Sequence, residues 1–303
     1  MKNQELKDEI SKLKKEMNAV ILVHNYQRPE IYDIADYIGD SYDLSVQASK
    51  TNADIIVFCG VRFMAETAYI LNSEKKVLLP AKESGCPMAD TVTAQDLIDL
   101  RKQYPDAAIV SYMNTTAEVK AESDVICTSS NAIKIVNSLP HKRVVFVPDR
   151  NLAIYVAEHT AKEVIPWNGF CYVHDKLSHE ELAKVKQVMG NAKVIAHPEC
   201  RKEFRDLADH VCSTSGMVTY AKRSESQEFI IGTESGMLEM LKRELPDKKF
   251  YPVPSGGTCA GMKRNTIEKV LQALTSEAPV VTVPGDIRVK AKKALDRMIQ
   301  VTK

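Results

Sequence analysis

No apolar run in the 303-residue sequence approaches the roughly 18 residues that span a bilayer. Basic residues (41) barely outnumber acidic ones (40), so the chain has no cationic excess to hold a polyanion, and nucleic acid and membrane are excluded as expected partners. An export signal is also missing. MKNQELKDEISKLKKEM sets Leu6, Ile10, Leu13 and Met17 on one helical face among charges, and the sequence reads as cytoplasmic. There is no CxxC pair. The seven cysteines, 59, 86, 127, 171, 200, 212 and 259, form an odd and widely spread set. Without an export signal they make no disulfide framework, which leaves buried thiols, a metal or cluster site, or a nucleophile.

What is present is one unit written three times. AVILVHNYQ, AAIVSYMNT and AKVIAHPEC each give a short apolar strand ending in a polar ring, His24, Tyr112 and His197, spaced 88 and 85 residues apart. Similarity at a fixed period marks a repeat architecture, and the offset recurs at every level. A second strand ends in YIGDSYDLS, VICTSSNAI and HVCSTSGMV, which aligns Ser41, Ser129 and Thr214. A third runs through DIIVFCG, RVVFVPD and EFIIGTE, and a fourth through KVLLPA, EVIPW and KFYPVP. ESGCPM, NGFCYV and GGTCAG then carry Cys86, Cys171 and Cys259, 85 and 88 residues apart. Each unit closes with a helix whose start is marked by Thr93 with Asp96, Ser178 with Glu181, or Asn265 with Glu268; only the middle pair has the residue types of a strict capping box.

Strands alternating with helices at this spacing predict an α/β protein. It has three pseudo-threefold-related αβα sandwich domains, each with a four-stranded parallel sheet, around a central active site. The domains are expected over residues 1–104 with the N-terminal helix, 105–189, and 190–303 with a C-terminal extension. That extension, PVVTVPGDIRVKAKKALDRMIQ, lies outside the repeat and reads as a strand and a helix packed on the N-terminal helix.

In open parallel sheets ligands sit beyond the carboxyl ends of the strands, where the rings, hydroxyls and cysteines all fall. Around a pseudo-threefold axis they converge. Three thiolates from three loops suit a zinc site completed by another ligand or an iron–sulfur cluster with one iron free of protein; the absence of close ligand pairs favours the cluster. Ser84-Gly85, Gly169 and Gly256-Gly257 allow close backbone approach. His24, Tyr26, Tyr112, His197 and Glu199 could move protons around it. Ser41, Ser129 and Thr214 at helix starts make anion sites, which points to a small substrate bearing carboxylates or phosphates.

Each of these residues has an ordinary explanation taken singly, as a hydrogen-bonded strand-end histidine or a helix cap. The polar matches across three units carry the functional reading. Cys59, Cys127, Cys200 and Cys212 lack a threefold set and read as core or incidental thiols. His197 with Cys200, and Cys171 with His174, are weak metal pairs, and Glu66, Glu234, Met217 and Met237 read as scaffold.

The blocks HNYQRPEIYDIADYIGDS, SYMNTTAEVKAESDVICTSSNA, AHPECRKEF, STSGM and GGTCAGMK together resemble the quinolinate synthase (NadA) family over nearly the whole chain. The resemblance implies a [4Fe–4S] cluster on Cys86, Cys171 and Cys259, as in the shorter three-cysteine form, with the fourth iron open as a Lewis acid. It implies condensation of iminoaspartate with dihydroxyacetone phosphate to quinolinate in NAD biosynthesis, with loss of phosphate and two waters. Those two molecules are the expected partners, with a transient contact to the enzyme that makes iminoaspartate. It gives His24, Ser41, Tyr112, Met113, Asn114, Ser129, His197, Pro198, Glu199 and Thr214 as substrate-binding residues. Tyr26, Tyr112, His174 and Glu199 are its proton-transfer candidates. A zinc-dependent lyase or aldolase, or a non-catalytic cluster or metabolite sensor, stands as the rival reading.

Overall fold

A computed structural model describes residues 3–302 and contains three four-stranded, wholly parallel sheets. The strands are β1 (Ala19–His24), β2 (Tyr37–Gly39), β3 (Ile55–Cys59), β4 (Lys76–Leu78), β5 (Ala107–Tyr112), β6 (Val125–Cys127), β7 (Arg143–Val147), β8 (Glu163–Pro166), β9 (Lys193–Ala196), β10 (His210–Val211), β11 (Glu228–Gly232) and β12 (Lys249–Pro252). The orders β2-β1-β3-β4, β6-β5-β7-β8 and β10-β9-β11-β12 repeat one topology, and helices cover the sheets as αβα sandwiches. The strand order reverses beside β1, β5 and β9, so the crevice that such a switch opens lies at the ends where His24, Tyr112 and His197 stand.

Burial explains the uninterrupted apolar strands. Ile21, Leu22 and Val23 in β1, and Ala108 and Val110 in β5, have no exposed surface, as strands covered on both faces require. Burial of each Val, Leu or Ile contributes about 1.5–3 kcal/mol.

Helices are exchanged around the ring. The closing helix Ala94–Gln103 packs on β5 and the helix Ala117–Ala121 of the second unit, with Leu97 among Ala107, Ile109 and Val145. Likewise Leu182 of the helix His179–Val188 joins the cluster of Val194, Phe204 and Ile230 in the third unit. The helix Ile267–Ser276 returns to the first unit, against β3 and the helix Asn3–Glu16.

Two sequence readings need correction. The C-terminal helix Gly285–Thr302 packs on Ala117–Ala121, β6 and Ala132–Ser138 of the second unit and on Arg62–Leu71 of the first. It does not lie on the N-terminal helix, whose apolar face is taken by Ile267–Ser276. The strand before it reduces to an antiparallel bridge between Leu78 and Val280, flanked by Val281 donating to Val77. Pro279 and Pro284 lack the N–H that a longer ladder needs. The caps differ as well. Thr93 and Asp96 form the full reciprocal box, Ser178 caps Glu181 without the return bond, and the third helix is capped by Thr266 rather than Asn265. Asn265 is buried and donates to the Gly60 carbonyl.

Candidate active site

A cavity lies where the three units meet. His24, Tyr26, Ser41, Cys86, Tyr112, Asn114, Ser129, Cys171, His174, His197, Glu199, Thr214 and Cys259 all line it. Met113 and Pro198 do not. Met113 is buried in the core, where its sulfur accepts from the Thr67 hydroxyl at 3.4 Å. Asp40, Val61, Phe63, Met64, Met88, Val173, Glu234 and Met262 line the cavity without having been singled out as site residues.

The three cysteine loops share one construction. The N–H groups of Arg62, Arg150 and Ser235, after β3, β7 and β11, donate to the carbonyls of Ser84, Gly169 and Gly257, two residues before each cysteine, at 2.8, 2.8 and 3.0 Å. The carbonyls of Cys86, Cys171 and Cys259 accept from Asp90, Asp175 and Lys263 four residues on. Backbone N–H groups of Met88 and Ala89 beside Cys86, of His174 beside Cys171, and of Gly261 and Met262 beside Cys259 pull these thiols down against burial. Glycine is required where these loops touch the chain: a Cβ on Gly169 would strike the Pro148 carbonyl, and one on Gly261 the Gly85 carbonyl.

Two loops have a further support. The Asp149 carboxylate accepts the Cys171 N–H at 3.1 Å, and Glu234 accepts that of Cys259 at 3.0 Å. At the matching position the first unit has Val61. Glu234 therefore does scaffold work, as its sequence position suggests, but at the cavity wall.

Burial pushes the Cys86 thiol up to about 12, with the neighbouring Cys259 adding to it. Burial, then Glu199, push Cys171 well up, and burial also raises Cys259. Three inward thiols that resist ionisation together form a donor set that a cationic metal group would relieve, since a coordinating thiol is deprotonated outright. The residues thus fit a group held by three thiolates. Ligand atoms of Cys171, His174 and Glu199 also lie within 4.8 Å of one another, an alternative arrangement for a single ion.

Beside Cys171 runs a chain of buried polar groups. His174 Nδ1 lies 2.7 Å from Glu199 Oε2, and its Nε2 lies 2.8 Å from Thr233 Oγ1, which is 2.6 Å from the Tyr26 hydroxyl. His174 thus faces the Glu199 carboxylate with one ring nitrogen and reaches the Tyr26 hydroxyl through Thr233 with the other. Burial pushes Glu199 up, but His174, His197 and the Tyr112 hydroxyl outweigh it and hold the carboxyl down at about 2. Burial, then Glu199, drive the Asp149 carboxyl well above the usual carboxylate range.

His24 and His197 are matched in structure as in sequence. Each Nδ1 accepts the backbone N–H two residues on, from Tyr26 at 3.1 Å and from Glu199 at 3.4 Å. Burial above all lowers each to about 3, with Lys263 adding to it at His24 and His174 at His197. Both rings are neutral near pH 7, and each keeps its proton on Nε2 as a donor.

Ser41 and Thr214 open the helices Ser41–Lys50 and Thr214–Arg223, whose caps are Asp40 and Ser213. Ser129 stands three residues before the helix Ala132–Ser138, in the turn where Thr128 N–H donates to Asn131. Asn114 Oδ1 is buried without a partner.

Fold and site define an α/β protein of pseudo-threefold design with three thiols and a chain of buried polar groups in one central cavity. The family model of the quinolinate synthetase A protein matches residues 8–300. The quinolinate synthase of Methanoregula boonei is 52% identical over 294 residues, 97% of each chain. That of Thermodesulfovibrio yellowstonii is 53% identical over 293 residues, 96% of this chain and 97% of its own. That of Geobacter metallireducens is 51% identical over 301 residues, 99% of each chain. The chain belongs to the quinolinate synthase family.

Proposed function

We propose that the chain makes quinolinate from iminoaspartate and dihydroxyacetone phosphate, releasing phosphate and two waters, as a step toward NAD. The observation that carries this reading is the convergence of Cys86, Cys171 and Cys259 on the cavity that holds the buried polar groups, in a chain of this family. The three thiolates would hold a [4Fe–4S] cluster whose fourth iron supplies Lewis-acid chemistry to the substrate.

The chain's own groups supply the rest. Ser41, Ser129 and Thr214, with the helix starts beside them, bind carboxylate and phosphate oxygens. The Nε2–H groups of neutral His24 and His197 donate to oxygens that gain charge, including the departing phosphate. Glu199, ionised at neutral pH, accepts a proton from carbon or nitrogen during tautomerisation, and His174 passes protons between it and the Thr233–Tyr26 hydroxyls. Tyr112, whose hydroxyl helps hold the Glu199 carboxyl down, and the amide of Asn114 orient the condensing carbon chain. Met113 and Pro198 act through the backbone that carries their neighbours.

A single zinc ion on Cys171, His174 and Glu199 is the second reading, favoured by their mutual proximity. Anaerobic purification with metal analysis and an absorption spectrum separates the two. The cluster reading expects brown protein with about four irons per chain, quinolinate from the two substrates, and loss of both iron and product in Cys259→Ser while the melting temperature stays within a few degrees. Colourless, zinc-bearing protein overturns it, and ligand binding without turnover makes the chain a sensor.

A further inference from the structure

The cysteine loops and the proton-handling residues are joined by contacts that cross from unit to unit. Tyr26, Asn114 and Glu199 occupy one repeat position, 88 and 85 residues apart, and so do Asp90, Asp175 and Lys263, four residues beyond the cysteines. Lys263 Nζ donates to the Tyr26 carbonyl and sits 3.3 Å from Glu234, the carboxylate that holds the Cys259 N–H. In the pseudo-equivalent place, Asp175 Oδ1 accepts from Asn151 Nδ2 at 3.0 Å, and the same amide reaches the Glu199 carbonyl at 3.1 Å. The third cysteine loop thus grips Tyr26 in the turn that follows β1, and the second grips Glu199 in the turn that follows β9. Asn151 is buried, and Lys263 is mostly so.

Gly236 is an independent mark of this construction. A Cβ there would strike Lys263 Nζ and lie 2.7 Å from Glu234 Oε2 and 2.8 Å from the Tyr26 carbonyl. The one residue type without a side chain stands where the three groups meet.

We propose that Lys263 and Asn151 are positioning residues, each clamping the backbone of one proton-transfer group, Tyr26 or Glu199, to the cysteine loop of the preceding unit in the ring. Neither side chain lines the cavity, so neither touches substrate. Their effect passes through the carbonyls they hold. Loosening Lys263 frees the 24–28 segment and lets the Tyr26 hydroxyl drift from Thr233, and loosening Asn151 does the same at 197–201. The proposal rests on the proton-transfer roles given above, but the clamps themselves are tested without turnover.

The test is hydrogen–deuterium exchange by mass spectrometry on the full chain, as purified anaerobically and after iron–sulfide reconstitution, with kcat, KM and iron content measured on the same samples. Lys263→Met is expected to speed exchange in 24–28 at least tenfold and leave 197–201 unchanged, and Asn151→Ala to do the reverse. Each is expected to lower kcat at least tenfold with KM within about twofold and iron content unaltered. Gly236→Ala, which keeps every charge, is expected to reproduce the Lys263→Met pattern, and Lys263→Arg to restore protection in part. Uniform acceleration of both segments, or none, overturns the clamps. Segment-specific acceleration with unchanged kcat overturns their catalytic importance. Failure of the parent chain to take up iron or make quinolinate overturns the functional reading alone, because the exchange pattern is read in either state.

Discussion

Two sets of equivalent positions line the cavity, and they differ in how strictly the repeat is kept. Positions 86, 171 and 259 carry the same residue on loops with the same backbone bonds. Positions 26, 114 and 199 carry a phenol, an amide and a carboxylate. A symmetric frame therefore presents three like donors and three unlike groups to one cavity. Shared ligation of one central group favours identity, whereas directional chemistry needs each corner to have its own proton affinity.

The sharpest break in that comparison is at the unlike corners. Glu199→Gln is expected to lower kcat by roughly 10²–10⁴ while iron per chain is retained; a full rate with normal iron content would remove Glu199 from proton transfer. A middle-sized effect tests the like corners, whose loops are equivalent except for the carboxylate at positions 149 and 234. Asp149→Ala, which strands the N–H groups of Leu152 and Cys171, is expected to destabilise by about 3–4 kcal/mol in urea unfolding, against about 1–2 for Val61→Ala. Equal losses would mean that the carboxylate adds nothing to the loop.

The smallest effect concerns Asp40, the cap of Ser41–Lys50. Burial first, then Asp43, raise its carboxyl to about 6, above the unfolded value near 3.9. The folded protein therefore binds the proton more tightly, and the group lowers stability as pH rises from about 4 through 6. Asp40→Asn keeps the cap and removes the titration. It is expected to be more stable than the parent by about 1–2 kcal/mol at pH 7, with the gap closing by pH 4. A gap constant over that range would show that Asp40 does not titrate there.

The 88- and 85-residue offsets made the strands, the cysteines and the ring and hydroxyl positions legible, because each recurs as a residue type. Position 61/149/234 was not legible, since valine, aspartate and glutamate share no type and only the strand-end register aligns them. Thr233 escaped for the same reason: its counterparts are Gly60 and Pro148. The seat of the C-terminal helix was hidden because an apolar stripe such as Ala291, Ala294, Leu295 and Met298 specifies burial but not the partner. Nor does periodicity say that a closing helix will cover its neighbour's sheet, which depends on how three units meet.

That exchange of helices bears on ancestry. A lone unit would leave bare the sheet face that another unit's helix covers, so a progenitor of one unit could have folded stably only by trading helices among three identical chains, as swapped oligomers do. Fusion into one polypeptide then released the three corners to diverge separately. A homotrimer can offer three equal thiolates, but never a tyrosine, an asparagine and a glutamate at the same place.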